Sequence, residues 1–60
     1  MAFVAVDLNK SEWVFSGEPI RSDEEWIYFE GVGVLLPPGS IAKLIGRELT
    51  WSDDPVELKD

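Results

Sequence analysis

One stretch, Leu35 to Trp51 (LLPPGSIAKLIGRELTW), sets the terms for the rest of the chain. Only there do a start signal, a helical spacing and a stop signal coincide. Pro37 and Pro38 have no backbone N–H to give and end whatever strand precedes them. Ser40 is a favourable N-cap, because its hydroxyl can accept from the free N–H groups of a first turn. Ile41, Leu44 and Ile45 follow at i, i+3 and i+4 and put three branched aliphatics on one face. Gly46 stands where a chain leaving a helix turns left-handed. The expected helix, near residues 41–46, spans about two turns and is too short to persist alone. Its apolar face must press on a sheet.

The rest of the chain supplies the strands for that sheet. Ala2 to Leu8 alternates Val4, Val6 and Leu8 against Phe3, Ala5 and Asp7, the period of a strand. Asn9, Lys10 and Ser11 are turn residues. Glu12 to Ser16 then reads as a second strand, with Trp13 and Phe15 opposite Val14, closing an antiparallel hairpin. Gly17 and Pro19 break it, and Ile20–Arg21 is a brief extended piece. Trp26 to Glu30 reads as a third strand with bulky residues on both faces, as expected of a central or doubly covered strand. Val32 to Leu36 runs back as a fourth, with Gly33 at a bulge or a close approach. After the helix, Leu49 and Trp51 sit at strand spacing. Ser52 to Pro55 is a turn, and Val56 and Leu58 alternate with Glu57 and Lys59 in a short last strand. The expected fold is mainly β (α+β). It is a small twisted antiparallel sheet or open barrel of four to six short strands, with one short helix, in a single domain over residues 1–60.

So short a chain buries one thin core, with a net stability of about 3–5 kcal/mol unless something staples it. There is no cysteine for disulfides and no Cys/His set for zinc. Aromatic bulk takes their place, from three tryptophans, three phenylalanines and one tyrosine. Oligomerisation is the other route to a larger core, so a homodimer is among the expectations. Twelve acidic residues against five basic ones give a net charge of −7, which disfavours direct binding to phosphate backbones. No apolar run reaches the ~18 residues of a membrane span. The first residues lack the basic region of a signal peptide, so a soluble, cytoplasmic protein is expected.

Catalysis is not expected. With no His and no Cys, the commonest general base and the strongest nucleophile are both missing. A carboxylate pair would still need a substrate cleft. Two acidic groups, Asp23-Glu24-Glu25 and Asp53-Asp54 with Glu57, lack the spacing of a calcium loop. Asp53 reads as a turn cap before Pro55, and residues 23–25 read as a solvated loop tip. No metal or cofactor is expected. Lys43 and Arg47 suit the C-terminal end of the helix dipole.

The aromatic set remains. Its spacing fits neither a WW nor an SH3 domain. Trp51, beside the helix exit, is the best core candidate, whereas Trp13 or Trp26 are candidates for surface anchors. The candidate interaction surface is therefore Trp13, Trp26 and Tyr28 together with Asp23, Glu24 and Glu25. Glu12, Glu18 and Glu30 fall on or around the same strands, so the acids can line one edge. They would then either solubilise the protein, guard a sheet edge, or imitate a nucleic acid in a basic cleft.

The phrases Leu-Pro-x-Gly-Ser-Ile and Leu-Thr-Trp within LPPGSIAKLIGRELTWSDDPVEL resemble the C-terminal part of short uncharacterised proteins of bacteriophages and gut-bacterial mobile elements. The resemblance covers the last third to half of the chain. It implies a small accessory protein made during phage infection and brings no site residues with it. The expected function is a non-enzymatic module that binds a protein partner, or itself, through a sheet face or an unpaired edge. The alternative is an acidic, nucleic-acid-mimicking inhibitor of a nucleic-acid-processing or defence enzyme.

Overall fold

In the computed structural model, which describes residues 1–59, strand β1 (Phe3–Val6) turns back into β2 (Glu12–Phe15). The hairpin is antiparallel, with Phe3 opposite Phe15 and Val6 opposite Glu12. Its turn is set locally. Lys10 adopts φ 73°, its N–H donates to Asp7 O at 2.9 Å, and Ser11 N–H donates to Asn9 Oδ1 at 3.0 Å. Next come β3 (Ile20–Arg21) and β4 (Trp26–Ile27), which pair only with each other as a short ribbon. Strand β5 (Gly33–Leu36) joins the outer side of β2, and β6 (Val56–Glu57) joins β1. The main sheet runs β5-β2-β1-β6, all antiparallel and open at both ends.

Strand periodicity divides the core in two. The register puts Val4, Val14 and Val34 in one row across the sheet, and Val6, Glu12 and Leu36 in the next. That face receives helix α1 (Ser40–Ile45), whose Ile41 is buried against Val4, Val6 and Leu49. Burying a side chain such as Ile41 is worth about 1.5–3 kcal/mol, more than a two-turn helix can gain from its own hydrogen bonds. The helix exists because the sheet is under it. On the other face Ala5 and Phe15 pack with Trp26 from the ribbon, and Trp13, Tyr28 and Trp51 close around them. The sheet is thus sandwiched between a helix and a β-ribbon.

Several expectations need correction. The N-cap is Gly39, at φ 89°, and Ser40 does not cap: its hydroxyl donates back to Pro37 O at 2.6 Å. Glu12 of β2 does the work instead, accepting from Gly39 N–H at 2.7 Å through Oε2 and from Ile41 N–H at 2.8 Å through Oε1. A charged acceptor satisfies those donors better than a hydroxyl. Leu44 is left 55% exposed, because the short helix tilts only Ile41 and Ile45 onto the sheet. The expected strand 26–30 shortens to two residues in the side ribbon, and Phe29 is turned outward. Leu49 and Trp51 are not in a strand; Leu49 is buried in the core, and Trp51 begins a turn and is half-buried. Gly46, at φ 81° with its N–H on Ala42 O, closes the helix as its position predicted. Asp53 caps its turn, accepting from Thr50 N–H at 2.8 Å.

Candidate interaction surface

The two outer strands of the main sheet differ in kind. Strand β6 has two residues, too short to template another strand. Strand β5 has four, preceded by Val32, whose carbonyl already accepts from Ser16 N–H at 3.2 Å. Bonded and non-bonded pairs alternate along an antiparallel ladder. Val32, Val34 and Leu36 therefore turn their backbone groups toward β2. The N–H and C=O of Gly33 and Leu35 turn away from it, and no strand among the described residues receives them.

The side chains along this edge are apolar and exposed. Val32 is 67% exposed, Val34 52% and Leu35 58%, and Phe29 just before them reaches 78%. Proteins ordinarily protect such an edge with charge, proline, a bulge or a cover. From Gly31 to Ala42 there is no charged residue at all, and the prolines come only after the strand ends. The ring of Phe15 lies against Gly33, where a Cβ would fall 2.7 Å from it. This is the close approach that the glycine permits. Tyr28 is held in the same way, packed between Gly17 and Gly31.

The residues singled out in the sequence are not gathered on this edge. Trp26 is 7% exposed and is a core residue; its Nε1 donates to Val6 O and its N–H donates to Asp7 Oδ1, both at 3.0 Å. Asp7, buried beside it, is what fixes β4 over the end of β1. Arg21 enters the angle between Trp26 and Trp51, its guanidinium carbon 4.4 and 4.5 Å from the two rings, and donates to Trp51 O at 2.6 Å. That is a structural lock built from cation–π contact and carbonyl bonds. Trp13 and Tyr28 are half-buried around Phe15, and the Trp13 Nε1 is buried with no acceptor among the described residues. Asp23, Glu24 and Glu25 all stand exposed on a loop held by Leu8 N–H on Glu24 O and Ser22 N–H on Glu25 O.

A cleft of about 630 Å³ lies between the β1–β2 turn, the helix start and residues 48–52. Its two carboxylates nearest the core, Asp7 and Glu12, are both occupied by backbone N–H donors. They hold the walls together and are not a free acid–base pair. Among the described residues, no three acidic side chains converge closely enough to hold a metal ion. Among the described residues, no helix is long and apolar enough to cross a membrane.

Sequence reasoning named an unpaired edge as a possible working surface without placing it. The signal was the run from Gly31 to Ala42, which lacks any charge in a chain where charged residues are otherwise frequent. Comparison with protein-family models, curated proteins and solved structures gives no match to this chain.

Proposed function

We propose that this protein is a non-enzymatic interaction module whose working surface is the open edge of β5. The observation that carries the reading is the set of outward backbone groups at Gly33 and Leu35, framed by exposed Val32, Val34 and Phe29. An extended segment pairing there would gain main-chain hydrogen bonds, with the flanking apolar side chains giving selectivity. The reading extends to a small accessory protein of the cytoplasm, of the phage-encoded kind its C-terminal half resembles. It is preferred to a nucleic-acid mimic, because Glu12 is committed to the helix start and leaves the acidic row.

The test is site-specific photo-crosslinking in the producing cell. A benzophenone side chain at Leu35 should give discrete protein adducts, and the same group at Leu44, exposed on the helix, should not. Adducts absent at Leu35, or equal at the two positions, would overturn the proposal.

A further inference from the structure

We infer that the strand received by β5 is β5 of a second copy, paired antiparallel about a two-fold axis at Val34. This rests on the reading of β5 as the working surface and names its occupant.

The hydrogen-bond arithmetic selects the register. In an antiparallel pair, two residues directly opposite exchange both bonds when their backbone groups point at each other. The outward residues are Gly33 and Leu35. If Gly33 faces Leu35 of the second copy, symmetry places Leu35 opposite the partner's Gly33, and all four donors and acceptors are used. Moving the strand so that Leu35 faces the partner's Leu35 sets Gly33 opposite Pro37, which has no N–H. Moving it the other way sets Leu35 opposite Gly31, which lies in a bend before the strand. One register leaves nothing unpaired.

Charge points to a second copy as well. Each chain carries −7, yet no acidic residue lies between Glu30 and Glu48. The β5 edge is the part of the sheet where two such chains can meet without setting carboxylate against carboxylate. A neutral edge also offers a charged partner nothing to read, whereas it complements itself. In the paired state Val34 meets Val34 of the second copy on the helix side, at the close, non-bonded position. Leu35 crosses Gly33 of the partner on the aromatic side, where it meets the Phe15 ring that lies over that glycine. The result is one continuous sheet of eight strands.

The size of the contact sets its strength. A standard interface covers about 800 Å² per partner, roughly a fifth of the 4191 Å² surface of this chain. A ribbon of four residues, at about 3.4 Å each, covers less. The dimer is therefore reversible and is populated at high concentration.

Sedimentation of the purified chain should show its mass rising from 6.8 kDa toward twice that value as concentration approaches about 1 mM, the range of a weak interface. A mixture of labelled and unlabelled chains should give an intermolecular Hα–Hα contact at Val34. The Gly33 and Leu35 amides should exchange about tenfold more slowly in the concentrated sample. A synthetic chain N-methylated at Leu35 loses only an outward donor, so it should keep its circular dichroism spectrum and stay monomeric. Val34→Lys, which sets like charges face to face, should do the same. A chain that is monomeric at about 1 mM, or a dimer that survives N-methylation of Leu35, overturns the inference. A monomer that still gives Leu35 adducts to another protein in cells overturns the second copy and leaves the module reading standing. A monomer without adducts overturns both.

Discussion

The Glu12 carboxylate of β2 closes the first turn of a helix that begins almost thirty positions further along the chain, taking the N–H of Ile41 at 2.8 Å and that of Gly39 at 2.7 Å. One side chain thus joins the hairpin that forms first in sequence to the element that covers it. It also explains why an acid tolerates a position facing the same side as Val4 and Val14: the backbone donors of an otherwise uncapped helix stand opposite.

Glu12→Ala should cost about 2 kcal/mol, the scale of charge-assisted bonds left unmade, or about 8–16 °C of melting temperature in a domain this small. Glu12→Gln keeps an acceptor and should lose less. Equal losses for the two substitutions, measured by thermal denaturation, would show that charge plays no part in the cap.

The three indoles are not equivalent, and two of them can be compared directly. Trp26→Phe removes the bond to Val6 O, area in the core and a face for Arg21, so a loss of about 2–3 kcal/mol is expected. Trp13→Phe removes a buried donor that has no acceptor among the described residues, and the relief should hold its cost below about 1 kcal/mol. Urea titrations of the two variants decide the ranking, and Trp13→Phe as the costlier change would refute it.

Arg21→Lys tests the lock on the other side of the ribbon. Lysine keeps the charge but loses the planar group lying against Trp26 and Trp51 and the paired bonds to the carbonyls of Trp51 and Asp53. The expected loss is about 1 kcal/mol, seen chiefly as faster amide exchange in 20–27. An unchanged exchange profile would mean that charge alone suffices.

Much of this architecture can be read from residue order alone, and the exceptions have a common cause. The hairpin, β5, the two-turn helix and its exit at Gly46 follow from short-range patterns: alternation, turn residues, proline and glycine. The cap on the helix does not, because Ser40 is a better local candidate than Gly39, and nothing near in sequence announces Glu12. Trp26 moves from an expected surface anchor into the core for the same reason, while Trp51 packs half-buried beside it. Trp26 is drawn inside by Asp7 and by the Val6 carbonyl, about twenty positions away, and bonds of that span leave no periodic trace. The edge is half legible: its lack of charge is visible, but which side of β5 faces β2 depends on the pairing.

Gly31→Ala tests a contact of the same hidden kind. A methyl group there would collide with the Ser16 hydroxyl and the Tyr28 ring, so the loop into β5 must shift. A loss of about 1–3 kcal/mol is expected, and Tyr28→Ala in the same background should recover part of it if the ring is the obstacle. No recovery would place the cost at the Ser16 hydroxyl or in the backbone.

The brevity of β6 has a consequence for how far such molecules could string together. A chain adding its β5 to another's β6 would find just two residues to hold, so head-to-tail growth has almost no grip at that rim. Once the long rim is taken, only stubs face the solvent. If β5 pairs with itself as proposed, assembly would stop at a closed pair, and an uncharged strand that would otherwise invite fibres would become self-limiting.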